Sequence, residues 1–208
     1  MKKFKHIEDI QRRIFAAMLA NLDDSVGDIM KKLAKEDLEN NTLVFFLSDN
    51  GGPTKELTSS NLPLRGGKGQ MYEGGIRVPF LFQWPSKVPA GKTYDRPVLS
   101  TDIFATIHVA AGIAKGENLE SCNLIPHLTG KFKEDPHECL FWRQGHKTAF
   151  RMGDMKILRQ SPKKWELYDL ATDPSETKDL IKERPKQFNL LLDGWEKING
   201  NMVNPLFK

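Results

Sequence analysis

Residues 43–52 have the sequence LVFFLSDNGG, and this stretch decides the fold class. Five consecutive apolar residues are too few for a helix and are rich in β-formers, so they predict a strand buried on both faces, as in a parallel sheet. Such strands carry chemistry at their carboxyl ends, where Asp49 and Asn50 offer a carboxylate and an amide oxygen suited to Ca²⁺ or Mg²⁺. The alternative is a polar turn that only closes the strand, because Asp and Asn-Gly are common turn formers.

A glycine-flanked lysine follows in the sequence GGKG at residues 66–69, and EGGIRVP occupies residues 73–79. Glycine neighbours let Lys68 approach an anion closely, and its ammonium group suits a sulfate or phosphate oxygen. Arg65 and Arg77 compete for the same role. Arg65 is expected to reach a substrate, whereas Arg77 is expected to pair with a buried acid such as Glu73.

Together these segments resemble the sulfatase family. The resemblance continues through RRIFAAM at 12–18, PFLFQWP at 79–85, STDIFATI at 100–107 and LYDLATDPSE at 167–176. It implies an alkaline-phosphatase-like α/β fold in which Asp49 and Asn50 ligate a divalent cation, usually Ca²⁺, with Mg²⁺ as the alternative. It also implies that Lys68 is a catalytic and substrate-binding residue in contact with the sulfate.

The nucleophile segment of the family is absent from this sequence. Sulfatases carry a C-x-P/A-x-R pattern upstream, whose Cys or Ser becomes formylglycine. Cys122 is followed by NLIP, which does not match this pattern. Cys139 has the required arginine four residues later, at Arg143, but two residues later it has Phe141 in place of Pro or Ala. We therefore expect the chain to be the C-terminal part of a sulfatase, with a missing N-terminal half as its partner. Two ligands out of the usual six to eight or so predict weak Ca²⁺ binding by this chain alone.

The expected function is the contribution of metal- and sulfate-binding residues to the hydrolysis of a sulfate ester. Two alternatives stay open at this point. One is a catalytically inactive binding or assembly module, which the missing nucleophile favours. The other is a phosphate-ester hydrolase of the same fold with a Zn²⁺ pair, against which the absence of histidine near Asp49 counts.

Hydrophobic periodicity predicts a long amphipathic helix over about residues 7–35 and a shorter helix over 102–111. From about residue 131 the pattern changes to short β-like runs separated by turns, which predicts a four-stranded antiparallel meander closed by a helix over about 181–199. We therefore divide the chain into residues 1–130, the C-terminal portion of the α/β domain, and residues 131–208, a small α+β subdomain. His137 and His146 are expected to lie solvated in loops of this subdomain.

Composition excludes several classes of function. The 208 residues carry a net charge of +4, with basic and acidic residues interleaved, so no nucleic-acid footprint is present. No apolar run approaches the roughly 18 residues of a membrane span. Two cysteines without C-x-x-C spacing predict neither a disulfide framework nor a zinc site. Residues 1–22 lack the apolar segment of a signal peptide, and the compartment is left undetermined.

Overall fold

The computed structural model describes residues 2–54, 59–113 and 120–204. The chain divides into two compact units, one formed by Met1–Ala17, Ser48–Pro79 and Cys139–Lys208, and the other by Met18–Leu47 and Phe80–Glu138. The main elements are, in chain order, α1 (Ile10–Lys35), β1 (Val44–Leu47), α2 (Glu73–Ile76), β2 (Phe80–Gln83), α3 (Asp102–Ala110), α4 (Ile125–Leu128), β3 (Leu140–Gln144), β4 (Lys147–Met152), β5 (Met155–Ser161), β6 (Lys164–Asp169) and α5 (Pro185–Gly200).

Helix α1 confirms the prediction of a long amphipathic helix. Its start is fixed by Asp9, whose carboxylate accepts a hydrogen bond from the Arg12 backbone N–H at 2.8 Å, as an N-cap does. None of its residues is buried. The apolar face is therefore exposed, with Ile10, Ile14, Met18, Leu22 and Ile29 among its exposed residues. No helix in the described ranges combines the length and apolar character that a membrane crossing requires.

Strand β1 forms where the apolar run predicts it, but its surroundings differ from the expectation. It pairs with β2 in antiparallel register, Val44 opposite Gln83 and Leu47 opposite Phe80. Among the described residues the expected parallel pairing is therefore wrong. Burial of β1 on both faces is also wrong, because Phe46 stays 39% exposed. Apolar content identifies a strand, whereas the direction of its partner depends on where the following loop returns.

The C-terminal meander is confirmed as a four-stranded antiparallel sheet in the order β3-β4-β5-β6. Gly145 and Gly153 adopt positive φ angles of 59° and 57° in the first two of its tight turns, a conformation that favours glycine. Helix α5 begins at Pro185, a favoured residue in the first helical turn. The predicted sheet and closing helix are therefore both present, and the boundary at residue 130 stays a prediction.

Both faces of this sheet are covered. On one face, Phe150, Ile157 and Leu167 form a cluster with Leu191 of α5. Gly194 permits this close approach, since a Cβ there would lie 2.8 Å from the Phe150 ring. On the other face, the alternating residues Ala149, Leu158 and Tyr168 contact Met71 and Tyr72, which directly precede α2. The sheet thus supports the glycine-rich segment that carries Lys68.

Candidate functional site

The turn after β1 carries the predicted metal ligands. Ser48 Oγ donates a hydrogen bond to the Asn50 carbonyl oxygen at 2.8 Å, and the Gly51 N–H donates to the Gly75 carbonyl oxygen at 2.9 Å. Asp49 is exposed, and none of the described residues forms a hydrogen bond or ion pair with its carboxylate. Asn50 donates its side-chain N–H to the Gly51 carbonyl oxygen at 3.0 Å, which leaves its side-chain carbonyl oxygen available. Two hard oxygen donors therefore stand in consecutive positions.

Asn61, which the sequence analysis missed, joins this turn to the lysine loop. Its amide oxygen accepts the Gly52 N–H at 3.0 Å, and its amide nitrogen donates to the carbonyl oxygens of Gly52 and Gly66 at 3.1 and 2.9 Å. The Lys68 N–H donates to the same Gly52 carbonyl oxygen at 3.1 Å. The structure therefore brings the Asp49–Gly52 turn and the Gly-Lys-Gly loop into direct backbone contact, with the Lys68 side chain exposed.

Glycines make this contact possible. A Cβ on Gly51 would lie 1.8 Å from the Gly74 carbonyl oxygen, and one on Gly75 would lie 2.1 Å from the Gln70 carbonyl oxygen. Neither approach is compatible with any side chain. Three backbone segments meet here at distances that only glycine allows. The glycines of the two motifs therefore serve the packing of these segments against one another.

Arg65 is directed toward the small sheet. Its Nη1 donates to the Tyr168 hydroxyl at 3.0 Å and to the Glu176 carbonyl oxygen at 2.8 Å, and its guanidinium lies 4.0 Å from the centre of the Tyr72 ring. These contacts attach the start of the lysine loop to β6. The substrate-binding role of Arg65 stays a prediction, and its present contacts are those of a residue that positions the loop.

A buried ion cluster lies beneath α2. Lys156 of β5 is fully buried, and its Nζ donates to Glu73 Oε1 and Glu176 Oε1, each at 2.8 Å. The Glu73 N–H donates to Glu176 Oε2 at 2.6 Å. The expected pairing of Glu73 with Arg77 is therefore wrong: the Glu73 side chain turns inward to the sheet, and exposed Arg77 contributes only its backbone N–H, 2.7 Å from the Glu73 carbonyl oxygen. Burial raises the pKa of Glu176 even though Lys156 opposes that shift.

A signal for this cluster is present in the sequence. Lys156 occupies an interior position of β5 and is followed by Ile157 and Leu158. A lysine in such a strand needs a buried anion, because an unpaired charge is rarely buried. The pattern therefore predicts a buried acidic partner for Lys156 but does not identify which residue it is.

A second polar network surrounds Glu166. Its Oε2 accepts hydrogen bonds from the hydroxyls of Tyr72 and Tyr168 at 2.8 and 2.7 Å, and its Oε1 accepts one from Lys164 at 3.1 Å. Burial acts to raise the pKa of Glu166, but the three hydrogen bonds outweigh it and the pKa is lowered. Burial and the neighbouring Glu166 raise the pKa of both tyrosines. These neutral phenols hold the loop on the sheet.

The second unit contains a separate cluster of Asp102, Cys122 and His137. His137 Nε2 lies 2.9 Å from Asp102 Oδ2 and 4.0 Å from Cys122 Sγ. The expectation of a solvated His137 is wrong, because only 8% of its side chain is exposed, whereas His146 is exposed as predicted. Within the described ranges this is the one group of three His, Cys, Asp or Glu side chains close enough to hold a metal ion. Cysteine spacing alone gave no sign of it.

Two family models match the chain. The model described as Sulfatase matches residues 2–113, and the model described as N-sulphoglucosamine sulphohydrolase, C-terminal, matches residues 67–199. Human steryl-sulfatase is 36% identical over 140 residues, covering 63% of this chain and 24% of the relative. A sulfatase of Formosa agariphila is 30% identical over 208 residues, covering 85% of this chain and 36% of the relative. The chain thus spans about a quarter to a third of the length of these relatives.

The crystal structure of Ps i-CgsB in complex with k-i-k-neocarrahexaose is similar over almost the whole chain. Its TM-score is 0.89 at 32% identity, with 99% of this chain and 47% of that one covered. The similarity confirms the predicted α/β fold with its small antiparallel subdomain. Because the Sulfatase model covers more than half of the residues and the fold agrees, the chain belongs to the sulfatase family.

Proposed function

We propose that this chain supplies metal-binding and sulfate-binding residues to a sulfuric ester hydrolase. The observation that carries the proposal is the hydrogen bond from the Lys68 N–H to the Gly52 carbonyl oxygen, which joins the anion-binding loop to the turn bearing Asp49 and Asn50. Membership of the sulfatase family, which is metal-dependent, supports the same reaction class. The relatives named steryl-sulfatase and sulfatase support it further.

Asp49 and Asn50 fit a hard divalent cation. The carboxylate has no partner among the described residues, and the Asn50 amide group is turned so that its nitrogen, and not its oxygen, is engaged. Such oxygen ligands are those that Ca²⁺ prefers, with Mg²⁺ as the smaller alternative. The cation, when bound, neutralises negative charge on the sulfate oxygens. Because Ca²⁺ takes about six to eight oxygen ligands, these two residues form only part of the site.

Lys68 is proposed as the residue that contacts the sulfate. Its side chain is exposed, and the following Gly69 borders open space, since a Cβ there would meet no atom within 4 Å. A fixed positive charge beside the sulfate stabilises the negative charge that develops when the ester S–O bond breaks. Arg65 is proposed to hold this loop in position through Tyr168 and Glu176, with direct substrate contact as the alternative.

A further polypeptide segment, an N-terminal sulfatase half, is the proposed partner. It would contribute the nucleophile and the remaining metal ligands. The exposed apolar face of α1, which includes Ile14, Met18 and Leu22, supports a covering segment of apolar character. This chain spans only 24% and 36% of the length of two sulfatase relatives, which also supports a partner that supplies the rest of the enzyme.

The metal proposal is tested by calorimetric titration of the chain with CaCl₂. We expect a dissociation constant no tighter than about 10⁻³ M, because few ligands are present, and complete loss of binding in Asp49→Ala. Asp24→Ala is the matched control, since Asp24 is an exposed acid on α1. Sub-micromolar binding, or binding that Asp49→Ala leaves unchanged, would overturn the two-ligand account.

The role of Lys68 is tested in an enzyme reconstituted with an N-terminal sulfatase half. Lys68→Ala is expected to lower kcat/KM for an aryl sulfate by roughly 10²–10³, the scale of one lost transition-state contact. Arg77→Ala is the matched control, because Arg77 is exposed in the same segment. Full activity of Lys68→Ala would remove Lys68 from the site. Hydrolysis of an aryl phosphate alone would favour the phosphate-ester alternative, and inactivity toward both esters would favour a binding module.

A further inference from the structure

Three donor atoms converge in the second unit, whereas the residues of the proposed sulfate site belong to the first unit. Asp102 begins α3, Cys122 lies shortly before α4, and His137 follows α4. Asp102 Oδ2 and Cys122 Sγ both face the same imidazole nitrogen, Nε2 of His137, at 2.9 and 4.0 Å. In a nucleophilic triad the acid and the nucleophile use different ring nitrogens. The arrangement therefore lacks the geometry of a nucleophilic triad, and its three donor atoms lie within 4.8 Å of one another, close enough to bind one ion.

We propose that Asp102, Cys122 and His137 bind Zn²⁺. One sulfur, one imidazole nitrogen and one carboxylate oxygen form a donor set that suits zinc, whereas Ca²⁺ takes oxygen ligands only. Usual zinc bond lengths and a tetrahedral angle place nitrogen and oxygen ligands about 3.3 Å apart, and nitrogen and sulfur ligands about 3.6 Å apart. The observed separations differ from these values by about 0.4 Å each, and small rotations of the side chains are enough to remove this difference.

The supporting contacts orient the ligands. The Asp102 carboxylate is fully buried and accepts the Leu99 N–H at 2.7 Å and the Cys122 N–H at 2.9 Å. The second of these bonds fixes the backbone of one ligand to the side chain of another. Backbone hydrogen bonds to a ligating carboxylate are the usual means of orienting a metal site. Asp135 is paired with Arg96 and is not among the three donors, and zinc with three protein ligands takes water as its fourth ligand.

Bound zinc would connect segments that are distant in sequence. Asp102 and Cys122 are 20 residues apart, and Asp102 and His137 are 35 apart. A metal bound by the folded chain stabilises it by mass action and closes both intervening loops. The site shares no residue with the proposed Ca²⁺ site, so each is testable without the other.

The experiment is titration of the metal-free full chain with ZnCl₂ and, separately, with CoCl₂ as a spectroscopic probe. We expect one equivalent of Zn²⁺ per chain and a thiolate-to-cobalt charge-transfer band. Cys122→Ser retains the size of the side chain and should abolish the band and weaken Zn²⁺ binding at least about tenfold. Cys139→Ser is the matched control, since Cys139 belongs to a different cluster, and it should retain both. His137→Ala should weaken binding to the same degree as Cys122→Ser.

Thermal unfolding gives an independent readout. Zn²⁺ at about 100 times Kd should raise the Tm by about 5–10 °C, while Ca²⁺ at the same concentration should not. Absence of stoichiometric Zn²⁺ binding would overturn the proposal and leave the cluster as a hydrogen-bonded structural group. Binding that survives both Cys122→Ser and His137→Ala, or that disappears in Asp49→Ala, would overturn it equally. Relative to the wild-type chain, a fall in the Tm of Cys122→Ser that is equally large with and without Zn²⁺ would also count against the proposal.

Discussion

Replacement of Lys156 by methionine tests the buried ion cluster. The Lys156 side chain is fully buried, and its two partners Glu73 and Glu176 are 4% and 0% exposed. Methionine retains most of the volume of lysine but removes the ammonium group, both its charge and its two hydrogen bonds to the carboxylates. Both carboxylates then lose their cation in a site that water does not reach. Breaking a buried ion pair by removing one partner costs about 3–5 kcal/mol, because the other charge is left uncompensated.

Proton uptake accounts for most of this loss. A carboxyl group with an ordinary pKa of 4.5 can be protonated at pH 7 for about 3.4 kcal/mol, at about 1.4 kcal/mol per pH unit. Both carboxylates lie 2.8 Å from the same Lys156 Nζ, so a single proton relieves their mutual repulsion and only one of them must take it up. We therefore expect Lys156→Met to lose about 3–5 kcal/mol of unfolding free energy at pH 7.

The loss should depend on pH with a defined sign. In the variant the pKa of the protonated carboxyl is raised above its unfolded value. Its contribution to stability is therefore present below pH 4.5 or so and is lost as pH rises through the folded pKa. The difference between the wild-type chain and the variant should shrink to about 1–2 kcal/mol at pH 4.5.

Urea unfolding followed by circular dichroism at pH 7 and pH 4.5 measures both quantities. Lys164→Met is the matched control, because Lys164 lies in the adjacent strand, is 69% exposed and pairs with Glu166 at 3.1 Å. Because its lysine is exposed to solvent, this pair is expected to contribute about 1 kcal/mol or less. Equal losses in Lys156→Met and Lys164→Met, or a Lys156→Met loss that is the same at both pH values, would refute the reasoning.

Two further predictions concern the buried carboxylate of Glu166 and the close backbone contact at Gly51. Three hydrogen bonds outweigh burial and lower the pKa of Glu166, so its stabilising contribution is present above its ordinary pKa and is lost as pH falls through the folded value. The Tm difference between the wild-type chain and Glu166→Gln should therefore shrink from pH 7 to pH 3, and a constant difference would contradict it. Gly51→Ala should lose at least about 3 kcal/mol in urea unfolding, because its Cβ would lie 1.8 Å from the Gly74 carbonyl oxygen. Gly27→Ala, in an open position of α1, should gain about 0.5–1 kcal/mol, and equal effects of both alanines would rule out the close glycine contact.

The sequence by itself determined the local elements and the two motifs. The spacing of apolar residues in α1, the alternation in β3 to β6 and the turn glycines encode structure within a few neighbouring residues. The small sheet and α5 were therefore predictable to within a few positions. The resemblance of residues 43–52 and 66–69 to sulfatase segments likewise needed no structure, because each motif is a short contiguous run.

Only the tertiary structure decided which distant residues meet. Glu73 pairs with Lys156, 83 residues away, and not with Arg77 in its own segment. Arg65 reaches Tyr168, 103 residues away, and His137 reaches Asp102 across 35 residues. The antiparallel direction of β2 relative to β1 was likewise decided by the tertiary structure. A local pattern determines which face of an element is apolar. The partner of a buried charged side chain depends instead on how whole elements pack, and many packing arrangements are compatible with the same local pattern.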